Sequence, residues 1–342
     1  MSAPAGPGWL AASLLLAVVL AGLLSAVITR MSLPLLQRYA LARPNARSSH
    51  HIPTPQGAGI AVIAATLLVA SMSAAWSGIA IPLELLVGTV LIALVGFADD
   101  IRSLPVLLRL LLQAVAVGIV VFSAPETLRI VPAVPLALER CLILSAGVWF
   151  VNLVNFMDGL DLMTVSEVVP IAAALVLLGW HGDLPWSPAL FAAALCGAML
   201  GFAPFNRPVA RVFLGDVGSL PIGLLLGWCL LGLAWHQHVV AALLLPAYYL
   251  ADSTTTLLRR IARGEPFWSG HRTHFYQRAT DNGFTVGQVV GEVFALNLVL
   301  ALLAIITIRV SSMVLAAMAL LAGAIVVSFV LRRFSRRRSP SS

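Results

Sequence analysis

The chain has 342 residues, 60% of them hydrophobic and only 10% charged, and its formal net charge of +7 rests entirely on arginine because lysine is absent. Apolar runs of about 17–25 residues recur along its length, each enough to cross a hydrocarbon core ~30 Å thick, and no segment alternates with period two. These features exclude a sheet-rich barrel and describe an all-α, polytopic membrane helical bundle.

In chain order the apolar pattern predicts eleven transmembrane helices, near 8–30, 57–76, 81–98, 106–123, 139–156, 162–180, 188–205, 218–235, 239–257, 286–308 and 311–331. Short Pro- or Gly-marked turns such as APET, HGDLPW and NRPVAR set most of the boundaries. The first run, GWLAASLLLAVVLAGLLSAVITR, is too long and too poorly flanked for a cleaved signal peptide and reads as a span. Alternate loops then fall on opposite sides. Arg30, Arg38, Arg43, Arg47, Arg102, Arg109, Arg207, Arg211, Arg259, Arg260, Arg263, Arg272, Arg278, Arg332, Arg333, Arg336, Arg337 and Arg338 share one side, and only Arg129, Arg140 and Arg309 the other. The positive-inside rule makes the first side cytoplasmic, with the N-terminus periplasmic and the C-terminus cytoplasmic. Arginines placed in short loops beside spans report topology, not nucleic-acid binding.

The whole chain, 1–342, reads as one integral membrane domain. Its cytoplasmic loops are expected at about 30–56, 99–106, 156–162, 206–217 and 258–285, followed by a basic tail at 332–342 that anchors topology and can touch lipid headgroups. Cys141, Cys196 and Cys229 lie in apolar runs without CxxC spacing, so they read as small buried side chains.

Five acids stand out. Asp99, Asp100, Asp158, Asp161 and Asp216 all fall at cytoplasmic mouths of spans, in GFADDIRSL, NLVNFMDGLDL and FLGDVGSLPIG. Asn152, Asn155 and Asp158 are spaced by three, so on a helix they share an arc of roughly 120°, a face of donors and acceptors suited to a sugar or nucleobase. The plainer reading of the asparagines is helix–helix hydrogen bonding. Asp216, at the start of a span, reads singly as an N-terminal cap, and Asp99–Asp100 as an interfacial pair. Carboxylates gathered in one low-dielectric mouth repel unless a cation neutralises them. A hard divalent ion with oxygen ligands fits, since Mg²⁺ commonly binds through one or two carboxylates plus substrate phosphates. Arg47, Ser48, His50 and Thr54 in RPNARSSHHIPTPQGAGI, and His271, Arg272 and His274 in the loop after the ninth span, supply donors for phosphate oxygens. Arg109 enters an apolar span and must snorkel or pair, with Asp99 or Asp100 as the nearest partner in sequence.

RSSHHIPTPQGAG, GFADD, NLVNFMDGLD, FLGDVGS and HRTHFYQR, in that order between such spans, resemble the polyprenyl-phosphate N-acetylhexosamine-1-phosphate transferase family, and most closely its O-antigen-initiating branch. The resemblance implies an enzyme of the bacterial inner membrane with its active site facing the cytoplasm. It would take a UDP-N-acetylhexosamine and undecaprenyl phosphate, release UMP, and use Mg²⁺, with Mn²⁺ as a substitute. It also implies membrane lipids as surroundings, no nucleic acid, and compatibility with a homodimer. Carried onto this sequence, Asp99, Asp100 and Asp158 are catalytic, Asp216 with Asp100 binds metal, and Asn155, Asp158, Asp161, His271 and His274 bind the nucleotide sugar. The reading of the residues adds Asn152 and Arg272 to the nucleotide-sugar set and Arg47, Ser48, His50, Thr54 and Arg109 as phosphate-binding groups. Departures are Ala58 in place of the middle glycine of a GGG, Leu162 where a second glycine commonly follows the last aspartate, HRTH in place of HIHH or HHH, and the missing lysines of the muramoyl-pentapeptide branch. The rival from another class is a proton- or cation-coupled transporter, which predicts midplane acids and has only Asp252 to offer; a non-catalytic scaffold leaves the clustered acids unexplained.

Overall fold

The computed structural model describes residues 7–42, 53–265, 271–310 and 312–338. Among them are thirteen α-helices: α1 (Pro7–Tyr39), α2 (Gly59–Trp76), α3 (Leu83–Ile101), α4 (Val106–Phe122), α5 (Leu136–Met157), α6 (Met163–Trp180), α7 (Trp186–Phe202), α8 (Asp216–Trp235), α9 (Val239–Leu244), α10 (Ala247–Ala262), α11 (Phe275–Asp281), α12 (Val286–Arg309) and α13 (Met313–Phe334). A two-residue ladder pairs β1 (Leu41–Ala42) antiparallel with β2 (Thr54–Pro55). Proline sets many of the helix starts. Pro82, Pro105, Pro135 and Pro185 stand immediately before α3, α4, α5 and α7, where a missing N–H is no loss because nothing within the helix would accept from it. α12 opens on a capping box, with the Thr285 hydroxyl accepting from the Gln288 N–H and the Gln288 side chain accepting from the Thr285 N–H.

Helices occupy all eleven predicted positions, and eight of them are long and apolar enough to cross a membrane. The other three positions differ for separate reasons. α3 carries three carboxylates, Glu84, Asp99 and Asp100, and α4 has only 17 residues. The expected span at 239–257 is broken into α9 and α10, because Pro246 has no N–H to continue the ladder. α10 then turns a polar stripe inward: Asp252, Ser253, Thr256 and Arg260 are all buried, spaced so that one helical face holds them. The first helix also outruns its expected end at residue 30, continuing through Pro34 to Tyr39 before the ladder.

α6, α7 and α8 form the interior, and small residues let their backbones meet their neighbours. A Cβ added at Gly197 of α7 would lie 2.0 Å from the Val18 carbonyl of α1, and one at Gly96 of α3 would lie 2.2 Å from the Asp216 carbonyl of α8. The second contact matters most, because it seats the end of α3 against the start of α8. At the other end of the bundle, Arg129 pairs with Glu139 at 2.6 Å, Arg309 pairs with Asp183 at 2.8 Å, and Arg140 donates to the Pro125 carbonyl at 2.8 Å.

Gly96→Ala should therefore force α3 from α8 and lower stability by about 1–3 kcal/mol, the usual cost of overpacking. Gly291→Ala, where an added Cβ meets nothing within 4 Å, should leave the melting temperature unchanged or slightly raised. Thermal unfolding of both variants in detergent checks the contrast.

Candidate active site

The first turn of α8 is where distant segments meet. Gly215, its N-cap, sits at φ +77°, a left-handed conformation open to glycine, and an added Cβ there would lie 2.6 Å from Asp100 Oδ2. Having no side chain, Gly215 cannot cap the helix. Asp100 does so from α3: its Oδ1 accepts from the Asp216 N–H at 2.9 Å and its Oδ2 from the Val217 N–H at 3.0 Å. Asp216, read singly as a cap, is not at the N-cap position: Gly215 is, and Asp216 is the first residue of the helix. Instead Asp216 Oδ1 accepts from Asn155 Nδ2 at 2.8 Å, and the same amide donates to Ser219 Oγ at 2.9 Å.

Asp99 faces the same space. Its Oδ1 accepts from the Leu104 N–H at 2.6 Å and its Oδ2 from Arg109 at 2.8 Å. The Arg109 guanidinium also stands 3.8 Å from Asp216 Oδ2, and its buried Nε has no partner among the described residues. Asp99 Oδ2 and Asp216 Oδ2 both stand against Arg109 Nη1, at 2.8 Å and 3.8 Å. Two carboxylates, Asp99 and Asp216, thus share one guanidinium. The pair that faces each other is Asp99 with Asp216, not Asp100 with Asp216, because both Asp100 oxygens are committed to α8. Among the described residues no three His, Cys, Asp or Glu side chains form a closed metal cage. A pair of opposed carboxylates with spare charge fits an ion of the Mg²⁺ kind, which keeps waters and phosphate oxygens in its shell.

The PTPQG stretch works through its backbone. Phe213 N–H donates to the Pro55 carbonyl at 2.8 Å, Gly59 N–H to the Leu214 carbonyl at 2.8 Å, and Gln56 Nε2 to the Asp100 carbonyl at 3.1 Å. Thr54, expected to offer a phosphate donor, is buried in β2 as part of this staple. Arg47, Ser48 and His50 lie outside the described residues.

NLVNFMDGLD does not present one ligand face. Asn152, Asn155 and Asp158 spread over their arc and meet three different neighbours. Asn152 is buried and donates to Gln113 Oε1 of α4 at 2.6 Å, which ties the two helices together. Asn155 turns to α8. Asp158, just beyond α5, accepts from the Thr164 hydroxyl. Burial pushes the Asp158 carboxyl up to about 6, the charges of Asp100 and Asp161 add to this, and the Thr164 hydroxyl opposes it. Asp161 is buried, and its Oδ2 accepts from the Ala210 N–H at 3.0 Å. Beside it Leu162 adopts φ +62°, the left-handed conformation for which glycine is the easier residue, and its N–H donates to Asn206 Oδ1 at 2.7 Å. Asp161 and Asn206 together clamp this turn to the 206–212 loop.

HRTHFYQR folds against the same turn. The Tyr276 hydroxyl donates to the Phe156 carbonyl at 3.0 Å, and an added Cβ at Gly159 would lie 2.2 Å from that hydroxyl. The His271 and His274 rings stack at 4.9 Å, and His274 lies 6.5 Å from the Phe156 ring. The Arg272 guanidinium reaches Thr280 at 3.2 Å and Asp281 at 3.5 Å on α11. Sequence reasoning missed Gln113, Asn206 and Asp252 as organisers. Gln113 had a signal, as an amide four residues after Arg109 in an otherwise apolar helix.

The glycosyl transferase family 4 profile matches residues 82–234, which hold GFADD, NLVNFMDGLD and FLGDVGS. The chain is 30% identical over 303 residues to a phospho-N-acetylmuramoyl-pentapeptide-transferase of Synechococcus sp., covering 81% of this chain and 87% of that protein. It is 28% identical over 317 residues to a decaprenyl-phosphate N-acetylglucosaminephosphotransferase of Mycobacterium leprae, covering 80% and 79%, and similarly to its Mycobacterium tuberculosis counterpart.

Because Asp100 alone satisfies two N–H groups of α8, Asp100→Ala should cost about 2–4 kcal/mol of stability. Asp99→Ala, which leaves Arg109 beside Asp216, should cost less. Thermal unfolding of the two variants gives the order.

Proposed function

Because the chain belongs to glycosyl transferase family 4, we propose that it transfers N-acetylhexosamine-1-phosphate from a UDP-sugar to a polyprenyl phosphate, undecaprenyl phosphate in the bacterial inner membrane, and releases UMP. The observation that carries this reading is the meeting of Asp99, Asp216, Arg109 and Asn155 over the first turn of α8, with excess negative charge and a guanidinium N–H that has no partner among the described residues. Such a site suits a diphosphate brought in with a divalent cation. We take all eleven helical positions as passing through or into the membrane, the motif end as cytoplasmic and the whole chain as one catalytic unit, on the arginine split between the two ends.

Transferases of this family are generally Mg²⁺-dependent. Asp216 and Asp99 would hold the ion, which when bound would offset their charge and that of the diphosphate. Asp100 then positions both by capping α8. In the exchange, an oxygen of the lipid phosphate attacks the phosphorus bearing the sugar. The bond from that phosphorus to the bridging oxygen breaks, and UMP leaves with the bridging oxygen. Asp99 accepts the proton of a protonated lipid phosphate, while Arg109 steadies negative charge on the transferring group. Attack by an aspartate, giving a covalent phospho-enzyme, would use the same residues. Asp158, Asn155, His271 and His274 are assigned to the nucleotide sugar, and Asp161 to holding the loop beneath it. The absence of lysine and the HRTH sequence favour an N-acetylhexosamine over a muramoyl-pentapeptide substrate, and an O-antigen or related envelope polysaccharide as destination. The transporter reading draws no support, because Asp252, its one candidate acid, is tied to a loop segment at the motif end.

Purified full-length protein given radiolabelled UDP-N-acetylhexosamines, undecaprenyl phosphate and Mg²⁺ should release UMP and label the lipid. Chelation should abolish release, and Asp216→Asn should lower it by about 10²-fold or more, as for loss of a main electrostatic contact. Failure with every UDP-sugar in the panel, or full activity in Asp216→Asn, would overturn the reading.

A further inference from the structure

Asp252 is fully buried in α10, and its carboxylate gathers five donors. Oδ1 lies 3.2 Å from His274 Nδ1 and accepts from the Phe275 N–H at 3.0 Å and the Thr256 hydroxyl at 3.3 Å. Oδ2 accepts from the Tyr276 N–H and the Tyr248 hydroxyl, each at 3.2 Å. A buried carboxylate is costly unless its lone pairs are filled, and here most of the filling comes from the His274–Tyr276 segment. Two of these three residues face the 156–159 turn: Tyr276 bonds the Phe156 carbonyl, and the His274 ring lies 6.5 Å from the Phe156 ring.

We propose that Asp252 is a positioning residue for the transfer reaction: it holds His274 with its Nδ1 proton donated inward, so that Nε2 is the nitrogen available to the UDP-sugar, and it fixes the His274–Tyr276 segment against the 156–159 turn. This rests on the transferase reading above for the ligand, but not for the hydrogen-bonded arrangement. An imidazole whose Nδ1–H is given to a carboxylate has its ring orientation and tautomer set, which is how second partners aim a histidine. Asp252→Asn cannot reproduce this. Whichever way the amide turns, its NH₂ faces a backbone N–H, and one backbone donor loses its acceptor.

The test is a double-mutant cycle in the full-length protein, with melting temperature recorded for each variant. Asp252→Asn should lower kcat/KM by about 10- to 100-fold, the scale for losing a partner that orients a functional group. In a His274→Gln background the same change should cost at least about 3-fold less than it does in the wild type, because the part of its effect that runs through His274 is already gone. Equal losses in both backgrounds, or wild-type kcat/KM in Asp252→Asn, would overturn the proposal. Should Asp252→Asn not fold, Asp252→Glu carries the same cycle. If the wild-type protein turns over no UDP-sugar, the transferase reading fails on its own, and ¹⁵N-histidine NMR decides this inference. The resonance lost in His274→Gln should show a protonated Nδ1 in the wild type, and a bare Nδ1 would overturn it.

Discussion

A carboxylate at the end of a membrane span must find a donor or a cation, because the low-dielectric surroundings penalise bare charge heavily. The three acids around the start of α8 meet this demand unequally. Asp100 fills both oxygens with backbone N–H groups of α8, and Asp99 fills its two with the Leu104 N–H and Arg109. Asp216 has Asn155 on one oxygen and only a 3.8 Å approach of Arg109 on the other. The shortfall sits on Asp216, and it is this incomplete compensation that the proposed divalent ion and phosphates would make good.

Everything else at this end serves to keep that imbalance in place. Gly96 brings α3 onto α8, Gly215 brings Asp100 to the helix start, and the PTPQG backbone staples the loop that precedes it. The NFMDGLD turn is held from two sides, by Asn206 and Ala210 of the 206–212 loop and by Tyr276. Buried polar groups of this kind are rigid when every member is satisfied, and the loops here are satisfied by backbone groups from distant segments.

Much of this was legible in the sequence, and the misses share a cause. Apolar length located the helices, and the five aspartates marked the end where the segments meet. Spacing alone could not say what each polar side chain faces. Asn152 and Asp158 share an arc with Asn155, but α4, α8 and the Thr164 turn claim one each, so the arc is divided among neighbours. The break at Pro246 was missed because the residues before it are apolar enough to continue a span, and the polar stripe of α10 was read as the end of one. Leu162 shows the reverse case: a departure from the glycine expected at its position coincides with a positive φ, so the turn is kept although the residue best suited to it is not.

The most direct measurement is Mn²⁺ binding to the full-length protein in detergent, followed by the electron paramagnetic resonance signal of the free ion, with and without UDP. Saturable binding that tightens with UDP, and weakens by about 10-fold or more in both Asp216→Asn and Asp99→Asn, is the result the account predicts. Equal Mn²⁺ affinity in the wild type and both variants would contradict it.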